Sequence, residues 1–312
     1  MNINAALLVG KQSVAGTVAS SLTAIPVTDF SSGLKKEVNQ PDEFRNSQES
    51  TYTVVPGNRW QEWEATGEAY YDTLPFILLS AFGAPTSNTA SGATTHTFKA
   101  QDNPPLLSLQ WIVAAIQSFQ SLDAVVDEFS LKFAADGDGM VEWSAKGLAL
   151  PETTISTPTP TYSTVLPFKS WQASVTLGGG AYARLLSMEI TWKRNRSAFW
   201  VVGGGVSPNR FNAGARSCDV KLELDFTNTT DYVAAKAMTE QAFVVTFTDT
   251  STTIGTGQNP AMTLNLPKLV YTGHELDWGG DTPSLGVEGV AKYDAASGTA
   301  FYMTIKNATA SY

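Results

Sequence analysis

GNRWQEWEATGEAYYDTLPFILLSAFG, Gly57 to Gly83, is an alternating strand that runs directly into an apolar helix. Successive strand side chains point to opposite faces, so Glu62, Glu64, Thr66 and Glu68 share one side and Trp63, Ala65, Gly67 and Ala69 the other. Asp72 or Thr73 stands where a helix cap is needed, Pro75 fits a first turn, and Gly83 supplies a left-handed stop. The unit is written again from Gly214 as GARSCDVKLELDFTNTTDYVAAKAM. There Asp219, Lys221, Glu223 and Asp225 take the polar face, and Cys218, Val220, Leu222, Leu224 and Phe226 the apolar one. Thr229 or Thr230 is placed to cap the second helix. Gly57 and Gly214 are 157 residues apart (214 − 57), half of a 312-residue chain.

A second pair of segments keeps the same order. Val141, Glu142, Ala145 and Lys146 match Val287, Glu288, Ala291 and Lys292 at a spacing of 146 (287 − 141). The fall from 157 to 146 places a deletion between the two markers in the second half, and the small, polar loop Ala84–Thr95 is the place for it. Between the halves, PETTISTPTPTYSTVLP is rich in Pro and Thr and has no periodicity, as a linker does. The expected organisation is a first unit over 1–150, a linker over 151–167 and a second unit over 168–312. Each is a mostly β sandwich or barrel with one flanking helix, related by internal duplication. Ser31–Pro56 reads as a long hairpin or surface excursion.

Composition narrows the function. At 43% hydrophobic with 8 Trp, 15 Phe and 10 Tyr, the chain has ample material for a core. Its net charge is −9 and it has no basic run, which argues against ordinary nucleic-acid binding. The one cysteine, Cys218, falls on an apolar strand face and reads as buried and inert. The start of the chain lacks the basic and apolar regions of a signal peptide, and no stretch is long enough to span a membrane, so synthesis in a cytoplasm is expected.

No catalytic chemistry is legible. His96 and His274 lack zinc-site spacing and read as surface histidines. Asp136-Gly-Asp138-Gly reads as a hairpin turn, because it lacks the remaining ligands of a calcium loop. Glu62 and Glu64 lie side by side on one strand and do not face each other across a substrate. No catalytic residue, metal ligand or cofactor is assigned.

Several segments together resemble the tail tube (major tail) proteins of long-tailed, siphovirus-like bacteriophages. They are VGKQSVAGTVA…IPVTDFSSG (Val9–Gly33), the acidic strand and helix ending in AFG (Ala81–Gly83), and THTF (Thr95–Phe98). In the second half they are MEITWKRNRSAF…GGGVSPNRF (Met188–Phe211), LNLPKLVY (Leu264–Tyr271) and AKYDAASGTAFYMTIKN (Ala291–Asn307). The resemblance implies a virion protein that stacks as rings around a lumen through which DNA is ejected. It implies as partners further copies of the chain, tail-tip or baseplate, tape measure and tail terminator proteins, and viral DNA passing without specific binding; no membrane is involved.

Such families usually place one tube unit per chain in a hexameric ring. Two units per chain suggest a trimer with pseudo-sixfold symmetry, in which open strand edges are closed by the neighbour. Duplex DNA carries a negative charge about every 1.7 Å, so an acidic lumen lets it slide. Glu62, Glu64, Glu68, Asp219, Glu223 and Asp225 are the expected lining, with Lys221 an interruption. Contacts between rings are expected from Lys35, Lys36, Glu37, Asp42, Glu43, Arg45 and Glu49, and from the terminal segments Met1–Val9 and Asn307–Tyr312. The competing readings are a tail-terminator, distal tail or decoration protein, and a carbohydrate-binding adhesin using Trp60, Trp171, Trp200 and Trp278.

Overall fold

The computed structural model describes residues 5–40, 51, 53–114, 116–279 and 283–312. Strands β1 (Ala6–Lys11), β2 (Thr23–Ile25), β3 (Asp29–Asn39) and β4 (Val55–Glu68) lead into helix α1 (Leu74–Ala81). Then come β5 (Thr86–Ala90), β6 (Ala93–Lys99), β7 (Leu107–Val113), β8 (Gln117–Ala134), β9 (Glu142–Ala149) and β10 (Thr153–Ile155). The second half begins with β11 (Ala173–Leu177), β12 (Gly180–Ala181), β13 (Leu185–Lys193), β14 (Ser197–Phe199), β15 (Arg210–Asn212) and β16 (Ser217–Asp225). It continues through helix α2 (Thr230–Ala237), β17 (Glu240–Thr248), β18 (Ala261–Asp277), β19 (Ser284–Ala291) and β20 (Tyr302–Asn307). The fold is mostly β, in antiparallel sheets that do not close into a barrel.

The alternation in β4 builds the first core. Trp63 and Ala65 point inward and meet Trp143 and Ala145 of β9, while Leu74, Ile77, Leu78 and Leu79 of α1 close one end. Gly147 of β9 is required by this packing, since a Cβ there would lie 2.0 Å from the Val125 carbonyl and 2.6 Å from the Trp63 ring. Thr73 precedes α1 and Pro75 sits in its first turn, but no side chain caps it. At α2 Thr229 holds the N-cap position without a side-chain cap bond, and Asn228 just before it accepts the Thr230 amide on Oδ1 at 3.0 Å.

The same order of pairing occurs in both halves. In the first, β1 pairs β7, β7 pairs β8, β8 pairs β10 and β9, β9 pairs β4, and β4 pairs β3. In the second, β11 pairs β17, β17 pairs β18, β18 pairs β20 and β19, β19 pairs β16, and β16 pairs β13. Two irregularities coincide as well. An extra residue bulges from β8 between Val126 and Glu128, opposite Gly147 and Lys146 of β9, and from β18 between Tyr271 and Gly273, opposite Gly289 and Glu288 of β19. Another falls after Leu107 in β7 and after Gln241 in β17.

These bulges correct the second marker. They align Lys146 with Glu288, an offset of 142 (288 − 146), four residues from the offset of 146 read in the sequence. The expected loop Ala84–Thr95 is instead mostly the hairpin β5–β6, which has no counterpart after α2.

The halves are joined by hydrogen-bonded strands. Strand β8 pairs with β13 from Glu128↔Lys193 to Ala134↔Ser187, and β20 pairs with β6. One hydrophobic cluster runs through both halves, with Phe82 stacked on Trp192 at 5.4 Å and edge-on to Phe301 at 5.5 Å. The segment read as a linker contains β10, whose Thr153–Ile155 pair with β8.

Candidate assembly surface

Pairing through β8 and β13 produces one sheet in the order β3-β4-β9-β8-β13-β16-β19-β18, with a single polar face. Glu62, Glu64 and Glu68 of β4 and Asp219, Glu223 and Asp225 of β16 all lie on it, because directly opposed residues in a sheet share a face. The opposite face is apolar and buried, with Trp63, Trp143, Phe129, Ile190, Val220 and Val287 on successive strands. Between β4 and β13 the polar face forms a shallow trough lined by Glu64, Glu128, Lys132, Glu189 and Lys193 among others.

The charges on this face are arranged rather than uniform. One row of directly opposed residues reads Glu68, Glu142, Lys132, Glu189, Lys221, Glu288, alternating in sign from Glu142 onward. Lys221 therefore sits between two carboxylates, which explains its place among acidic neighbours. Ion pairs join Lys132 to Glu142 at 2.7 Å, Lys35 to Glu62 at 3.2 Å and Lys146 to Glu64 at 3.3 Å. Lys193 lies 3.8 Å from both Glu128 and Asp219. All are partly exposed, so each pair contributes about 1 kcal/mol or less to stability. Their larger effect is to hold the lysines against protein carboxylates.

Within the excursion at 31–56, the described strand residues pair as β3 with β4, from Asn39↔Val55 inward, and extend past the body of the sheet. Lys35, Lys36 and Glu37 are on β3, while Asp42, Glu43, Arg45 and Glu49 lie outside the described residues. A second arm, β14–β15, occupies the equivalent position between β13 and β16; its irregular, glycine-rich sequence hid it from a reading by alternation. The loop that connects β14 to β15 touches β4, where Trp200 meets Trp60 edge-on at 5.7 Å and the Arg59 amide donates to the Val206 carbonyl at 2.8 Å. Val202 at its tip is fully exposed.

Other expected features change role. The end of the chain is not a free arm: Asn307 donates to the Tyr71 carbonyl at 2.7 Å, and Tyr312 packs edge-on to Phe76 at 5.3 Å. Ala6–Val9 of the first segment is strand β1. His96 is buried, not on the surface, with Nδ1 2.8 Å from Ser87 Oγ and Nε2 2.8 Å from the Thr309 carbonyl. His274 is exposed, as expected, on β18. Burial pushes the Cys218 thiol far above its ordinary range, which leaves it unreactive.

Among the described residues no group of three His, Cys, Asp or Glu is placed to hold a metal ion, and no helix is long and apolar enough to cross a membrane. No curated protein matches the chain. A family model described as phage tail tube protein matches residues 2–291. That match spans both halves and all but the last of the paired strands, and by it the chain belongs to the phage tail tube protein family, structural components of the virion tail.

Proposed function

We propose that the chain assembles into stacked rings forming the tail tube, with the polar face of the long sheet turned to the lumen and the genome passing along it during ejection. One observation carries this reading: the acidic strands of both halves share one face of one sheet. Carboxylates on that face outnumber its lysines, Lys35, Lys132, Lys146, Lys193 and Lys221, so a net repulsion of phosphates remains after the ion pairs are formed. Nothing in this role calls for catalysis or a cofactor. The repeated pairing order and matching bulges support an internal duplication, with 1–150 and 168–312 as two tube-like units fused through shared strands.

Ring size follows from strand number. Each chain contributes eight strands to the sheet, and three chains contribute 24 (3 × 8). With strands about 4.8 Å apart and tilted by about 40°, a cylinder of 24 strands is about 48 Å across its backbone, enough for a duplex once side chains are added. Six whole chains would double that bore. The trimer with pseudo-sixfold symmetry is the arrangement we favour, capped and nucleated by terminator and tail-tip proteins around a tape measure.

The test is charge reversal within the lumen. Changing Glu62, Glu64 and Glu68 together to Lys should leave tubes visible by negative-stain electron microscopy while slowing DNA ejection from particles that carry them. Ejection at the unmodified rate would remove the lining role.

A further inference from the structure

The joint between the two halves is a template for a joint between two copies. In β8, residues 128–134 pair with β9 on one edge and with β13 on the other. Their equivalents in β18, beginning at Gly273 just past the matching bulge, pair with β19 on one edge; among the described residues the other edge is unpaired. Strand β3, the equivalent of β13, likewise pairs only with β4 among the described residues. One chain thus ends its sheet with a vacant β8-like edge and begins it with a vacant β13-like edge.

We propose that β18 of one copy pairs antiparallel with β3 of the next, in the register of β8 with β13. This rests on the ring reading above and names the contact that closes the ring. Glu128↔Lys193 of the internal joint becomes Gly273↔Lys35, and Ser130↔Thr191 becomes Glu275↔Gly33. On the apolar face, Phe129↔Trp192, Leu131↔Ile190 and Phe133↔Met188 become His274↔Leu34, Leu276↔Ser32 and Trp278↔Phe30.

Three features of the vacant edges fit. Phe133 is 7% exposed inside the internal joint, whereas its equivalent Trp278 is 70% exposed and lacks the neighbour that would cover it. The row Glu142, Lys132, Glu189, Lys221, Glu288 runs through uncharged Gly273 to Lys35 of the next copy, which sets no two like charges directly opposite each other. The third feature is a cation. Directly after β13, buried Arg194 donates to the carbonyls of Ala81 at 3.0 Å and Phe82 at 3.4 Å, at the C-terminal end of α1. Its equivalent on β3 is Lys36, exposed in the single chain, and the end it would reach is that of α2, where Met238 is exposed. A cation at a helix C-terminus is favoured by the unpaired carbonyls and the helix dipole.

Cysteine pairing tests the register. A Cβ at Gly33 meets nothing within 4 Å, and Cys218 is buried, so Gly33→Cys with Glu275→Cys introduces two reactive thiols at a directly opposed pair. Oxidation of tubes or rings of this variant should give covalent species up to a closed trimer, while the slipped pair Gly33→Cys with Asp277→Cys gives far less. Lys36→Glu should raise the concentration needed for assembly by about tenfold without unfolding the chain. If rings form but cross-link no better than the slipped control, the joint is wrong and the tube reading stands. If neither rings nor cross-links form at any concentration, both fall.

Discussion

Arg194 shows how much a single polar side chain contributes to the fusion of the halves. Besides Ala81 and Phe82, it donates to the Gln101 carbonyl at 2.6 Å, while Trp192 Nε1 donates to the Ala81 carbonyl at 3.2 Å. Arg194→Met should destabilise the protein by about 3 kcal/mol in urea unfolding, because it removes charged hydrogen bonds and strands buried carbonyls. A second buried group sits under α2, where Asp231 pairs with Arg184 at 2.8 Å and accepts from Tyr182 at 2.9 Å. Burial, and then the bond to Asp231, pushes the Tyr182 hydroxyl far above its ordinary range. Asp231→Ala should cost about 3 kcal/mol by leaving Arg184 without its counter-ion; a loss under about 1 kcal/mol would show that Arg184 finds solvent instead. Neither Arg194 nor His96 betrayed its burial in the sequence, since a polar residue is buried by the tertiary partners it finds and not by any local pattern.

Elements were legible where one face was apolar and the other charged. Strands β4 and β16 and both helices followed from alternation and breaker residues, and the register of β3 with β4 confirms the long hairpin. Strand β5 was missed because Thr86–Ala90 is exposed along its whole length and shows no alternation. The four-residue error in matching β9 to β19 has a different cause. A slip by an even number keeps every side chain on its own face, so hydrophobic patterning cannot detect it, whereas a slip by one would invert the strand. The arms carry their own prediction. With Lys35 and Lys36 assigned to the joint within a ring, the outer part of the β3–β4 hairpin remains for contacts between rings. Deleting residues 39–48 should leave rings of normal size but prevent long tubes, as seen in electron micrographs; unimpaired growth would assign stacking elsewhere.

At the scale of the whole molecule, the sequence suggested two tandem units joined by a Pro/Thr-rich linker, and in the structure one hydrophobic cluster and paired strands run across both halves. Composition marks a segment as poor in regular structure but says nothing about whether strands on either side of it will pair. The shared core predicts a single cooperative unfolding transition by calorimetry, with no separate melting of 168–312. Residues 1–150 expressed alone should fail to give a stable fold, since β8 loses β13 and Phe82 loses both Trp192 and Phe301. Strand β20 adds a matter of timing. It crosses from the second half to pair with β6 of the first, from Tyr302↔Lys99 to Asn307↔Thr94. Until that strand has been made, β6 keeps an open edge and Phe82 and Trp192 lack the Phe301 ring that packs against them. A nascent chain therefore carries an edge that another chain's strand can occupy, and the late arrival of β20 sets how long that exposure lasts.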